Sequence, residues 1–562
     1  MNDKERSFLK KRYIYALLAA LFIFHFVNNY IIIYKNEIPF EGDSLARYKQ
    51  SVELFRGLSK VQDKPSFLYF LDYNFKQANH ATIYTFIAAP LYAIFGVSRK
   101  IASMSNMFFL FILIWSIFLI GREFSDEYGG LLSAFIISTY PHVFAMSRMY
   151  MPDFGALAMV SLSMFLLIKS NNFFDRKYSM LFGLAVAVTI MTKLSSAHFI
   201  VAPVIFCIFQ LKPWLALRSE YRSKIIAGIC NLALSLFIFL TLVLPWLNFA
   251  ARRYYDLCRE WGADTPSLHK VPGGLSYHFV NSFLNTQLHW FYAALFFFSA
   301  IVLIFKKPRQ LIFLLLWYLV PLFIMAGVTP PGYCERFTLP GLGGIAVISA
   351  LGIRKISFSR SKSSICVFII CILGLIQYFL ISYSPLAINI YPYMRIQKDV
   401  KDPMLRFQDA SISHVGLFQA KKEDWKAEEI TSVIMKDRGG YLPVKVLIIY
   451  SPFVLPGSLE EKILERQLPI RLYWSYQLFT GPPLRDGDVI DVEKIKEMNS
   501  IMEQSDYILT YDKHFMPDNL FLVPDEIYRI FIKENENNFK EIGKLAMPDN
   551  YTLHIYRRIT KN

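Results

Sequence analysis

Stretches of about 20 apolar residues, the length that carries a helix across a bilayer, recur between Tyr13 and Ser384 of this 562-residue chain. Their backbone polar groups must be satisfied within the segment in lipid, which leaves membrane-spanning helices as the fold for this part. Spans are expected near 13–34, 101–120, 129–146, 154–169, 178–193, 197–211, 225–247, 286–305, 310–327, 337–352 and 364–384. Composition agrees, with 54% hydrophobic and 19% charged residues, against roughly a quarter charged in a soluble domain. A disordered chain, a coiled coil and a simple soluble enzyme are thereby excluded. Residues 385–562 mix polar and apolar positions as a soluble domain does, so the expected organisation is a membrane domain over 1–384 and a folded domain over 385–562. The block 13–34 is too long for a signal-peptide core and lacks a small-residue cleavage site, so the first helix is expected to stay in the protein.

Lys and Arg outnumber Asp and Glu by 60 to 44, a balance that can signal nucleic acid. Position argues otherwise, because much of the excess lies in short loops between apolar blocks, where cytoplasmic loops carry it. Six cysteines fall in or beside the spans without a CxxC, so neither a disulfide framework nor a zinc site is expected.

One apolar stretch, His80–Gly96, is ambiguous. Charge decides its reading. If it does not span, the segments 1–12, Arg122, 169–177, 212–224, 306–309 and 354–362 lie on one side and hold 20 Lys and Arg. The short loops opposite then hold Arg148, Lys193 and Arg336. If it spans, the later basic loops invert against the positive-inside rule. The reading is therefore eleven spans, the N-terminus cytoplasmic and the C-terminal domain extracytoplasmic, with 80–96 as a juxtamembrane helix at the outer surface. That side also receives a 66-residue first loop (35–100) and a second large loop (248–285).

The polar residues that could carry chemistry cluster at this outer interface. Glu41, Asp43, Arg47 and Tyr48 open the first loop just after the first span. An acidic pair there suits a general base for an acceptor hydroxyl; the alternative is that Asp43 caps a helix over 44–58. Pro152 and Asp153 open the fourth span, which ordinary helix N-terminal chemistry also explains. Lys193 ends the fifth span, either as a dipole-favoured, snorkelling lysine or as a cation for a phosphate. Arg336 begins the tenth span, either in a salt bridge to a nearby acid or as a phosphate fork. His80, His269, His278 and His289 have no metal-ligand spacing. Arg252 and Arg253 suit an interfacial anchor as well as a lipid phosphate.

In this order, the motifs resemble those of the GT-C type glycosyltransferases that use polyprenyl-phosphate sugars, the protein O-mannosyltransferases and bacterial aminoarabinose transferases. The similarity runs over roughly 10–350. It rests on Glu41-Gly42-Asp43, His80 opening the surface helix, Gly121-Arg122, and Ser147-Arg148 with Asp153 five residues after the arginine. Thr192-Lys193 and Arg336-Phe337-Thr338-Leu339-Pro340 complete it. The chain departs from that pattern at Ser44, where the family carries a second acid, and at Ala81-Thr82, where it carries prolines. The WWD motif of the oligosaccharyltransferase catalytic subunit is absent.

The resemblance implies a GT-C fold of about eleven spans with juxtamembrane helices in the first outer loop. It implies an inverting transferase that moves one sugar from a polyprenyl phosphate to a lipid, glycan or protein acceptor outside the cytoplasmic membrane. Asp43, with Glu41, would act as base and Asp153 would orient the acceptor or a cationic partner. Lys193, Arg336, Arg47, Tyr48 and His80 would bind substrate. No nucleotide, nucleic acid or obligatory metal is implied; a divalent metal stays open but is not indicated. Two other readings stay open: a flippase for lipid-linked glycans, which would carry polar residues at mid-span and internal repeats, and an inactive homologue serving as a partner subunit.

In the C-terminal part, Asp424–Asp437 and Val492–Met502 have helical spacing, while Val444–Tyr450, Tyr507–Tyr511 and Tyr551–Tyr556 read as strands. The alternation predicts a small α/β sheet. With no glycine-rich phosphate loop at a strand–helix junction, a cover for the site or an acceptor-recruiting role is expected.

Overall fold

The computed structural model describes residues 3–40, 42–60, 83–211, 219–264, 275, 278–328, 334–356, 360–384, 424–438, 443–448, 454–474, 500–511, 538–548 and 552–559. A helix stands at each of the eleven expected span positions. Among the described residues eight helices are long and apolar enough to cross a membrane, and a ninth span is the pair Glu127–Thr139 and Pro141–Ser147, bent by 70°. Proline at the start of the second helix of that pair explains the break, since Pro141 has no N–H to continue the ladder. The remaining two, Arg176–Thr192 and Leu342–Lys355, are shorter, at 17 and 14 residues. Large apolar side chains such as Phe237, Phe305 and Phe368 are exposed on these helices, as lipid-facing surfaces require. The protein is a multi-pass membrane protein.

Two elements differ from expectation. The seventh span continues as one helix from Ser219 to Asp264, past the predicted exit at 247. The charges at Arg252 and Arg253 end the hydropathy but not the helix, because Ala, Arg, Leu and Glu remain good helix formers. His278–Leu288 forms a π-helix that ends at His289, whose φ of 60° is left-handed. The ambiguous stretch near 80–96 gives two short helices, Ile83–Phe86 and Ala88–Phe95. They are too short to span, and they bury Tyr84, Ala88 and Tyr92 in the core of the membrane helices.

Within that core a polar network ties the first and last spans to the bent pair. Arg148 donates from Nε to Asn29 Oδ1 at 3.1 Å and from Nη2 to Tyr378 Oη and Ser382 Oγ, both at 2.9 Å. Asn29 Nδ2 donates to Ser147 Oγ at 2.8 Å, and Arg148 also lies 4.7 Å from the Phe144 ring centroid. The Ser-Arg pair of the sequence motif is thus a tie between helices, placed before the residues that lead into Asp153.

The C-terminal region builds one five-stranded sheet. Its strands are β1 (Val444–Ile448), β2 (Ile470–Trp474), β3 (Tyr507–Tyr511), β4 (Phe539–Ala546) and β5 (Thr552–Arg558), in the order β2-β1-β3-β5-β4. β1 runs parallel to β2 and β3, and β5 runs antiparallel to β3 and β4. Central β1 is buried nearly throughout, which its apolar Val-Lys-Val-Leu-Ile run foretells. The helices Ala427–Arg438 and Val454–Arg466 pack Ile430, Ile434, Leu455 and Leu459 into this second core. Of the predicted helix Val492–Met502, residues 492–499 lie outside the described residues.

Candidate active site

Asp43 stands in the first turn of the helix Gly42–Lys60. Its carboxylate is half-exposed, and Arg336 Nη1 donates to Asp43 Oδ2 at 2.7 Å. Arg336 comes from the short helix Cys334–Phe337, 293 residues away. The turn after it is braced by the spans beneath: Gln287 Nε2 donates to Thr338 Oγ1 at 2.7 Å, Tyr318 Oη to Gln287 Oε1 at 3.0 Å, and Trp317 Nε1 to Pro340 O at 3.0 Å. This turn lies so close to the ninth span that a Cβ on Gly341 would meet Tyr318 Cδ2 at 2.7 Å. Glycine is what lets the backbone approach.

Asp153 occupies the first turn of the helix Pro152–Lys169, with Pro152 at the position where a missing N–H costs nothing. Unlike Asp43 it is buried, at 2% exposure, and Lys193 Nζ donates to its Oδ1. Lys193 terminates the helix Arg176–Thr192 with an extended backbone, φ −158° and ψ 119°. The chain leaves the helix there and turns the ammonium back to Asp153.

Phe337 joins the two ion pairs. Its ring centroid is 4.6 Å from Lys193 Nζ and 5.0 Å from Arg336 Cζ, so one aromatic face serves both cations. Arg47, one turn after Asp43, is a third cation of the same cluster. Its guanidinium is 5% exposed, donates from Nη1 to Gln50 Oε1 at 2.7 Å and leaves Nε without a hydrogen bond. Among the described residues it makes no salt bridge. Burial pulls the Arg47 guanidinium down to about 10, while Asp43, Asp153 and Tyr150 pull it up and Arg336 opposes them. Arg47 is therefore in electrostatic reach of both acids yet engaged with neither.

Tyr48 takes a different place. It is fully buried, packed on Phe40 at 5.7 Å and near Tyr92 at 6.5 Å between ring centroids. Burial pushes its phenol up, and Glu465 and Glu461 of the C-terminal region add to that. It faces the helix Val454–Arg466 rather than the two ion pairs. Glu41 and His80 lie outside the described residues, as does His269. Of the alternatives weighed from the sequence, Asp43 is inside the helix rather than its cap, and Arg336 does form a salt bridge, to another candidate residue.

Several residues that shape the site carry no motif. Tyr150 stacks on Phe40 and packs on Tyr84, with centroids 6.2 and 4.9 Å away. Asn106 accepts from Tyr84 Oη at 2.9 Å and donates from Nδ2 to Met149 O, fixing the segment just before Asp153. No group of three His, Cys, Asp or Glu close enough to hold a metal occurs among the described residues.

Comparison with known proteins agrees with this architecture. Residues 79–248 match the family of dolichyl-phosphate-mannose-protein mannosyltransferases. No curated protein sequence matches the chain. Among solved structures, ArnT from Cupriavidus metallidurans bound to undecaprenyl phosphate superposes with a TM-score of 0.57 at 12% identity, over 96% of this chain and 97% of that one. The oligosaccharyltransferase of Archaeoglobus fulgidus gives 0.50 at 12% identity, over 90% of this chain and 70% of that one. The arabinofuranosyltransferase AftD from Mycobacteria gives 0.51 at 11% identity, over 97% of this chain and 40% of that one. The resemblance read from the motifs is borne out, and the protein has the GT-C glycosyltransferase fold, built on a multi-pass membrane helix bundle with a C-terminal five-stranded sheet.

Proposed function

We propose that this protein is an inverting glycosyltransferase that takes a single sugar from a polyprenyl monophosphate. The transfer goes to a hydroxyl of a lipid, glycan or protein on the outer side of the cytoplasmic membrane. The division of labour follows the two regions, with the chemistry in 1–384 and the extracytoplasmic residues 385–562 covering the site. The observation that carries the reading is the assembly of Asp43, Asp153, Lys193, Arg336 and Arg47 into one cluster from four separate helical elements. Further support comes from the family matched by 79–248 and from the fold shared with a protein crystallised with undecaprenyl phosphate.

In this mechanism the half-exposed Asp43 carboxylate accepts the proton of the acceptor hydroxyl. The hydroxyl oxygen attacks the anomeric carbon from the face opposite the phosphate. The bond from that carbon to the phosphate oxygen breaks, and its electron pair leaves with the polyprenyl phosphate. Arg47, with its unused Nε–H, meets the phosphate first. Arg336 is shared, since the incoming phosphate competes with Asp43 for the guanidinium. Donor binding thereby loosens the Asp43–Arg336 pair and leaves the carboxylate to the acceptor. Lys193 and Asp153 form the fixed floor, with Lys193 adding positive potential where charge develops. The lipid phosphate supplies the leaving group, so no nucleotide and no obligatory metal enters.

The test uses purified protein with a panel of radiolabelled polyprenyl-phosphate sugars. Release of free polyprenyl phosphate by the wild type, and its loss in Asp43→Asn, is the expected result. Turnover with no donor, together with ATP-independent movement of lipid-linked glycan across liposomes, would instead identify a flippase.

A further inference from the structure

The helix Val454–Arg466 has two faces. Leu455, Leu459 and Ile463, spaced by four, lie in the core of the C-terminal sheet. Glu460, Glu461 and Leu464 meet the membrane region instead. Glu460 pairs with Lys49, Arg56 Nη2 donates to Leu464 O, and the Leu464 side chain packs against the core of the membrane helices. Glu461 is the innermost of the three, at 6% exposure. Its Oε1 accepts the Phe40 N–H, and its Oε2 lies 3.2 Å from Arg99 Nε.

These contacts converge on the segment that delivers Asp43. The first span ends at Lys35, and its freed carbonyls need partners. Lys100 donates to Tyr34 O at 3.0 Å, and Arg99 donates to Asn36 O at 2.8 Å and to Ile38 O. The Phe40 ring is held between Tyr48 and Tyr150, which leaves its N–H to be satisfied by Glu461. Three residues later comes Asp43.

We infer that Glu461 is a positioning residue: by holding the Phe40 N–H and the Arg99 guanidinium, it fixes the Asn36–Phe40 segment and with it the place of Asp43. The inference rests on the proposed role of Asp43 as base. It makes the C-terminal region part of the active-site frame rather than a detached cover. Glu461 has a pH signature as well. Burial pushes it up to about 8, against Arg99, the Phe40 N–H and Lys462, with Glu465 adding to the rise. Tyr48 and Arg56 on the facing helix, and Glu37 beside Arg99, complete the charged surroundings. The docked value lies above the 4.5 of a free glutamate, so the docked state binds the proton more tightly. Docking is strongest below pH 4.5, weakens as pH rises through the window to about 8, and is constant beyond it.

The experiment uses the full chain in lipid nanodiscs and two readouts. Hydrogen exchange across 36–43, corrected for intrinsic rate, reports whether the segment is held. Steady-state transfer, with a donor that the wild type accepts, reports whether holding it matters. Glu461→Ala is expected to lose protection at the Phe40 amide and to lower kcat about 10- to 100-fold, the effect of misplacing a reacting group by about 1 Å. Its KM for the donor stays near wild type. Glu461→Gln keeps an acceptor for Phe40 but turns an NH2 group toward Arg99, so it retains protection at the Phe40 amide, keeps more kcat than Glu461→Ala, and abolishes the pH dependence of exchange between 4.5 and about 8. If Glu461→Ala does not fold, Glu461→Asp withdraws the carboxylate by one methylene and is read the same way. Unchanged exchange at Phe40, or lost protection with unchanged kcat, overturns the inference. Wild-type protein that turns over no donor defeats the enzyme reading instead, and the exchange data alone then decide whether Glu461 holds the segment.

Discussion

Two ion pairs share one aromatic ring, yet they are built in opposite ways. Asp43–Arg336 links distant parts of the chain and leaves its carboxylate half open to solvent. Asp153–Lys193 joins the starts and ends of neighbouring helices, with the acid at 2% exposure. A base must reach a diffusible acceptor, so the open pair is the one suited to chemistry. Removing two charges from water is costly and is offset only while both partners remain. The closed pair is therefore a fixed source of potential, and its integrity is a folding matter before it is a catalytic one.

That contrast is broken or sharpened first by neutralising each acid in turn. Asp43→Asn is expected to lower transfer by about 10²- to 10⁴-fold, the usual worth of a general base. Its stability is expected to change by less than about 1 kcal/mol, because the Asp43 carboxylate is half-exposed and an asparagine there still accepts from the buried Arg336. Single-turnover kinetics and thermal unfolding in detergent measure the two. A loss of stability without a loss of transfer would reverse the assignment of the pairs.

Asp153→Ala is expected to act the other way round. It strands Lys193 in a buried site, at a cost of about 3–5 kcal/mol in stability. The double variant Asp153→Asn with Lys193→Met removes both charges and is expected to recover most of that, while transfer stays low because the positive floor is gone. Equal unfolding temperatures for the single and double variants would show that the pair does not act as a unit.

Much of the fold was legible in the sequence, because apolar blocks of about 20 residues state spanning helices directly. Asp43, Asp153, Lys193 and Arg336 stood out as charges at one interface. Their pairing did not, since nothing local in the chain says that residue 336 returns to residue 43. A salt bridge was one of the two readings open for Arg336, but its partner was not legible, and the acid held by Lys193 was not either; among the described residues Arg47 makes no salt bridge. The helix Val454–Arg466 was missed for a physical reason. Leu455, Leu459 and Ile463 have helical spacing, but Pro456-Gly457 signals a loop, and a proline is tolerated in a first turn. β4 was equally hidden, because Gly543 interrupts its alternation where the strand bulges against β5.

Gln287 tests the support under the open pair. It bridges Tyr318 and Thr338, two residues after Arg336. Gln287→Leu leaves the hydroxyls of Tyr318 and Thr338 buried without that partner, at a cost of about 1–3 kcal/mol. Donor KM is expected to rise as Arg336 loses its brace, with Asp153–Lys193 undisturbed. Unchanged KM with the expected stability loss would mean that the turn holds Arg336 without help from the π-helix.

The smallest effect belongs to Lys49, which pairs with Glu460 beside the buried Glu461. Lys49 is 36% exposed against 13% for Glu460, so solvent reaches the pair from the lysine side and Lys49→Ala is expected to cost about 1 kcal/mol. Protection at the Phe40 amide and transfer are both expected to stay at wild-type levels. The same face of the helix Val454–Arg466 thus contains an open pair and a closed one, one residue apart. If Lys49→Ala exposes Phe40 as strongly as Glu461→Ala does, the docking of the whole helix sets the Asp43 segment, and exposure ceases to predict which charges matter. If it does not, the rule drawn from the two pairs around Phe337 holds at a second place in the molecule, with the roles exchanged. There the buried carboxylate reaches the functional segment, and the open pair only lies beside it.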